Sequence, residues 1–87
     1  MTDNIMTINE TIREFMANEL SEQGFNESIT NDESLVDSYI LDSLSILMLI
    51  TFLDEKFDII PDIDEINPEQ FETINKIEAF IKSKIDA

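Results

Sequence analysis

Cysteine, histidine and tryptophan are absent from this 87-residue chain, glycine occurs once, proline twice, and only 5 residues are Lys or Arg. Without cysteine there is no disulfide framework, no thiolate metal site and no thiol nucleophile. Without histidine, the usual general base near neutrality, the Ser-His-Asp arrangement and nearly every zinc site are excluded as well. Against the 5 bases stand 20 acids, giving a formal net charge of −15. Such a polyanion is repelled by phosphate backbones and by anionic lipid headgroups, so neither nucleic acid nor a membrane surface is an expected partner. The longest uncharged run, Ser43 to Leu53, reaches roughly half of the ~20 apolar residues that a bilayer span needs, and no membrane insertion is expected. Met1-Thr2-Asp3-Asn4 lacks the basic start of a secretory signal, which points to a cytoplasmic protein.

Hydrophobic residues still make up 43% of the chain, the level of an ordinary globular protein and not of an acidic disordered tail. The length supports one small domain over 1–87, with residues 1–6 a flexible N-terminus and a monomer as the expected state. No window alternates β-branched residues with polar ones, so strands are not expected. Thr7 followed by Glu10 forms a capping-box pattern that opens a first helix. Ile8, Ile12, Phe15, Met16 and Leu20 fall on one face of it, and Gly24 is placed to end it. From Phe25 to Leu41 periodicity is lost, which predicts a long loop pinned by Ile29, Leu35 and Val36.

The second helix is predicted over Ser43–Phe57 with Asp42 as N-cap, and Pro61 prevents its continuation. A short turn of helix is expected around Asp62–Ile66, and Asn67-Pro68-Glu69-Gln70 predicts another through Phe71. Thr73 caps a last helix carrying Ile74, Ile77, Phe80, Ile81 and Ile85 on one side, with Lys82 and Lys84 near its negative end. The expected fold is all-α, a small bundle of three main helices with one or two short ones.

The second helix is apolar on more than one side. If Leu49, Ile50, Leu53 and Phe57 face the core, then Leu44, Leu47 and Met48 lie wholly or partly at the surface, where an apolar patch marks a partner site. The alternative is that the long loop folds over this face and buries it. Charge around the helix is one-sided: from Asp32 to Glu72 twelve acids accompany a single base, Lys56. An apolar centre with an acidic rim suits a partner whose greasy groove is framed by Arg and Lys.

At the start of this helix Leu41-Asp42-Ser43-Leu44 resembles the Asp-Ser-Leu signature of acyl and peptidyl carrier proteins. Asn31-Asp32-Glu33-Ser34-Leu35-Val36-Asp37 upstream, and Leu53-Asp54-Glu55-Lys56-Phe57-Asp58-Ile59-Ile60-Pro61 downstream, are similar to the family's loop entry and helix end. The resemblance runs from about Ile8 to Ile85. It implies an acyl-carrier-like bundle with no activity of its own, bearing 4′-phosphopantetheine on Ser43 and holding an acyl group on the arm as a thioester. It also implies a phosphopantetheinyl transferase, an adenylating or other acyl-loading enzyme, and downstream acyl-transfer or condensing enzymes as partners. Asp42, Leu44, Leu47, Met48 and Thr51 are the residues expected to meet them. No residue type in the chain activates Ser43, since a free hydroxyl is a poor nucleophile and no histidine or cysteine is present.

Ile40 stands where many fatty-acid carriers have glycine, and Met48 and Thr51 stand on a face where many carry glutamate. The Ile-Leu-Asp-Ser run, and Pro68 to Ile77, look more like stand-alone aminoacyl carriers, including D-alanyl carriers. The implied role is a free-standing carrier in a dedicated pathway such as nonribosomal peptide or related secondary metabolism. Fatty-acid synthesis and D-alanylation are the alternatives within the family. An acidic helical adaptor or inhibitor without a prosthetic group is the alternative outside it. No metal is expected: starting from Asp62, the glycine that a calcium loop needs at its sixth position is Asn67.

Overall fold

Residues 7–85, which the computed structural model describes, form three α-helices: α1 (Ile8–Glu19), α2 (Ser43–Phe57) and α3 (Ile74–Ile85). Single 3-10 turns lie at Ser21–Gln23 and Ile63–Glu65, and no strand occurs among the described residues. The all-α expectation holds. The segment 1–6, expected to be flexible, lies outside the described residues.

Both halves of the first capping box form. Thr7 Oγ1 accepts from the Glu10 amide at 3.1 Å, and Glu10 Oε1 accepts from the Thr7 amide at 2.9 Å. Ile12, Phe15, Met16 and Leu20 are buried, with Ile8 packed at their margin. The helix stops earlier than its glycine implies: it ends at Glu19, and a 3-10 turn carries the chain to Gly24 at φ 108°. Leu20 and Phe25 account for the early stop. Both are buried, and the Phe25 amide donates to the Leu20 carbonyl at 3.2 Å, so the chain tightens to bring Phe25 inward.

The loop that follows belongs to the core. Ile29 and Leu35 are buried as expected and Val36 is half-buried, while Phe25, Ile40 and Leu41 are buried too. Leu35 is its main tie. The Leu35 amide donates to the Glu72 carbonyl at 2.7 Å, and the Leu35 carbonyl accepts from Ile40 and Leu41 at 2.9 and 3.0 Å. Each such buried aliphatic side chain contributes about 1.5–3 kcal/mol, which offsets the entropy of ordering a segment with little regular structure.

α2 buries Ser45, Leu49, Phe52 and Leu53. Ile50 and Phe57, expected in the core, are half-buried at its flanks because Ser45 and Phe52 take the inward direction. Phe52 stacks on Phe15 of α1, ring centroids 4.5 Å apart. After the left-handed cap at Asp58 (φ 57°), Ile59 turns back into the core. The turn expected around Asp62–Ile66 is the second 3-10 segment. Asn67–Phe71, expected to be helical, is instead a hydrogen-bonded turn in which Asn67 Oδ1 accepts from the Gln70 amide at 2.9 Å. Phe71 is fully buried edge-on against Phe80 (5.4 Å between centroids), and drawing it inward ends the turn before a helix can propagate.

Thr73 caps α3 by accepting from the Lys76 amide at 3.1 Å. Ile74, Ile77, Phe80 and Ile81 are buried, whereas Ile85, expected on the same side, is 52% exposed at the end of the helix. Lys84 reaches Glu65 at 2.6 Å and lies 5.6 Å from the Phe80 ring centre, so the last turn of α3 is fastened to the second 3-10 turn. α3 packs on both α1 and α2. No helix of the described residues is long and apolar enough to cross a membrane.

Candidate functional site

Three helices begin beside a hydroxyl, and only one of those hydroxyls is relieved of capping. Thr7 Oγ1 and Thr73 Oγ1 each accept from the amide three residues on. At α2 the cap is Asp42, whose Oδ1 accepts from the Ser45 amide at 2.9 Å. Ser43 is therefore the first helical residue and not the cap, exposed, and no hydrogen bond engages its hydroxyl among the described residues. Its setting favours an anionic ester, because unpaired first-turn amides and the positive end of the helix dipole lie beside it.

The Asp42 carboxyl is held below its ordinary range, first by the hydrogen bond from the Ser45 amide and second by the Ser45 hydroxyl. It is thus ionised at neutral pH and directed at Ser45, not at the Ser43 hydroxyl. Behind it Ser45 is fully buried, and Gln23 Nε2 donates to Ser45 Oγ at 2.7 Å and to the Ile40 carbonyl at 3.0 Å. Sequence reasoning missed both Gln23 and Ser45. A signal existed: Ser45 lies four and eight residues before Leu49 and Leu53, on the core stripe, and a buried hydroxyl there requires a partner.

The remaining expected contact residues divide. Leu44 and Leu47 are 66% and 60% exposed beside Ser43, so the loop does not cover this face. Met48 is half-buried against the core, and Thr51 is exposed with its hydroxyl donating to the Leu47 carbonyl at 3.1 Å. Met48 and Thr51 also line a groove of about 420 Å³ between α1 and α2, over Phe15 and Phe52 and edged by Glu14, Glu19, Glu55 and Lys56. The structure thus brings Ser43, Leu44 and Leu47 together and sets Met48 and Thr51 toward α1.

No family model matches the chain. The D-alanyl carrier proteins of Lactobacillus acidophilus and Lactobacillus helveticus are 38% and 36% identical to it over 52 residues. Those matches span 60% of this chain and 66% of each relative, just under two thirds of their length. The solution structure of a holo acyl carrier protein from Nitrosomonas europaea superposes with a TM-score of 0.77 at 29% identity, covering 94% of this chain and 100% of that one. The chain is similar in sequence and in fold to carrier proteins. Holo acyl and D-alanyl carrier proteins themselves bear a covalent phosphopantetheine. The start of α2 fits that group: it offers an accessible hydroxyl at a helix N-terminus, with the neighbouring carboxylate already engaged.

Proposed function

We propose that this chain is an aminoacyl or acyl carrier whose 4′-phosphopantetheine is attached at Ser43. The observation that carries the reading is the Ser43 hydroxyl itself, exposed at the first position of α2 and spared from capping by Asp42. In the attachment step Ser43 Oγ forms an O–P bond to the phosphopantetheine phosphorus of coenzyme A as the pyrophosphate bond breaks. The nucleotide half leaves, and the hydroxyl proton passes to the transferase. The chain supplies no base for this, so the enzyme is external. When bound, the arm supplies a thiol on which an acyl group is held for transfer. The residues of the chain present the arm: α2 fixes Ser43, Asp42 and Gln23 hold the first turn, and Leu44 and Leu47 offer the partner an apolar contact.

An adenylating enzyme that loads an amino acid or a related acid, in nonribosomal peptide or other secondary metabolism, is the partner we favour. The likeness to two D-alanyl carriers supports D-alanylation as a second reading, with D-alanine the first cargo to try. The decisive experiment incubates the purified chain with coenzyme A, Mg²⁺ and a broad-specificity transferase, followed by intact-mass analysis. A carrier gains one phosphopantetheine and Ser43→Ala gains none. An adaptor without a prosthetic group stays unmodified in both forms.

A further inference from the structure

Tyr39 combines two features that oppose each other. Its backbone is left-handed, φ 62°, a conformation that strains any residue with a Cβ and a bulky one most. Its side chain is 84% exposed and takes part in none of the aromatic pairs. The only other described non-glycine residue at positive φ is Asp58, at the end of α2, where a short polar side chain is tolerated.

The reversal at Tyr39 has an evident purpose that its ring does not serve. The Tyr39 amide donates to the Val36 carbonyl at 3.0 Å, and the next two amides donate to the Leu35 carbonyl. That winding sends Ile40 and Leu41 into the core at 2% and 3% exposure. Glycine would make the same turn without strain. An aromatic ring at such a position, left in water, gains nothing from the chain itself that would offset the strain.

Its surroundings indicate what would offset that strain. The Gln23 side-chain nitrogen binds both the Ile40 carbonyl and Ser45 Oγ, fastening the Tyr39 turn to the first turn of α2. Tyr39 thus lies four residues before Ser43 on a turn tied to the start of α2, and Tyr39, Ser43, Leu44 and Leu47 are all exposed, as are Asp37 and Asp42 close to them in the sequence. From Glu14 to Glu55 the chain has ten acids and no base. An enzyme that holds coenzyme A must gather cationic side chains around the phosphates, and it must bring them to Ser43. Tyrosine, with a large rigid face that accepts arginine and a polar tip, is among the residue types enriched at the centre of such contacts.

We infer that Tyr39 is the anchor by which the cationic phosphopantetheine-transferring enzyme grips this chain beside Ser43. The inference rests on the assignment of Ser43 as the attachment residue.

The test uses the full chain and a transferase that modifies the wild type. Tyr39→Gly and Tyr39→Asn, both at ease at this φ, are compared with Tyr39→Phe in steady-state transfer from coenzyme A and in thermal melts. The glycine and asparagine variants melt at or above the wild-type temperature yet lose about tenfold or more in kcat/KM, through KM, whereas the phenylalanine variant stays within about threefold. A merely structural tyrosine would give the same melts with no kinetic loss. Wild-type kcat/KM in both the glycine and asparagine variants overturns the anchor and leaves Ser43 in place. A wild type that no competent transferase modifies overturns the Ser43 assignment, and the anchor with it.

Discussion

The Gln23 side-chain nitrogen lies 2.7 Å from Ser45 Oγ and 3.0 Å from the Ile40 carbonyl, so one amide joins the end of the long loop to the first turn of α2. Ser45 is fully buried, and its amide donates to the Asp42 carboxylate that caps the helix. The orientation of the exposed Ser43 therefore depends on a polar contact two residues away, inside the protein.

Ser45→Ala removes the shared acceptor and leaves buried donor capacity on Gln23 without a partner. The expected cost is about 1–3 kcal/mol, read as a fall in Tm of roughly 4–8 °C for each kcal/mol lost. Because Ser43, the proposed attachment residue, is untouched, the variant is expected to gain phosphopantetheine as the wild type does. An unchanged melting temperature would show that the Gln23 contact contributes nothing to stability.

Asp42 makes the cap sensitive to pH. Its carboxyl is held below the ordinary range by hydrogen bonds that favour the charged form. This contribution to stability is fully present above the unfolded-state pKa of about 3.9 and is lost as pH falls through the lower folded-state value. Asp42→Asn keeps a capping oxygen but does not titrate. The difference in melting temperature between wild type and this variant stays constant above about pH 5 and shrinks below about pH 4. A difference that is flat to pH 2.5 would contradict the assignment.

Leu47 and Met48 are adjacent in sequence and are expected to respond differently to a charge. Leu47 is 60% exposed, so Leu47→Glu leaves helicity and melting temperature near wild type while slowing acyl loading by the proposed adenylating partner. Met48 packs against the core, so Met48→Glu lowers the melting temperature as well. Circular dichroism melts alongside loading kinetics separate the two effects. Normal loading of Leu47→Glu would remove the Leu44–Leu47 face as an interface.

The net charge of −15 sets the response to salt. Ion pairs are few beside it: Lys76–Glu72, Lys82–Glu78 and Lys84–Glu65 among the described residues, the first two between partly exposed residues four apart in the sequence. Screening therefore relieves more repulsion than attraction. The melting temperature rises between about 10 mM and about 500 mM NaCl as the Debye length shortens, and rises further with Mg²⁺. Insensitivity to ionic strength would indicate that the acids are too dispersed to repel.

Helix starts were legible in the sequence because a cap is a contact over three residues. Thr7 with Glu10, Asp42 with Ser45 and Thr73 with Lys76 all form where the pattern places them. The fault at Asn67–Phe71 shows where local chemistry stops being sufficient. Its cap is correct, but the full burial of Phe71 against Phe80 outweighs the propensity of the residues between. The place of Ser43 at the head of α2 was legible too, because it follows the Asp42 cap. Gln23 was not, because its acceptors lie 17 and 22 residues away.

Composition and short-range pattern by themselves determined that the chain is helical, strongly acidic and without histidine or cysteine, and that a serine opens its most apolar helix. Each of those properties depends on residues within one helical turn or on a sum over the whole chain. Only the tertiary structure decided that Ile40 and Leu41 lie inside while Tyr39 stays outside at a strained φ, that Ser45 is buried beneath Ser43, and that Met48 turns toward α1 while Leu47 remains in water. Those outcomes follow from how loop and helices share a limited interior, and burial is a property of the packed whole that no single segment encodes.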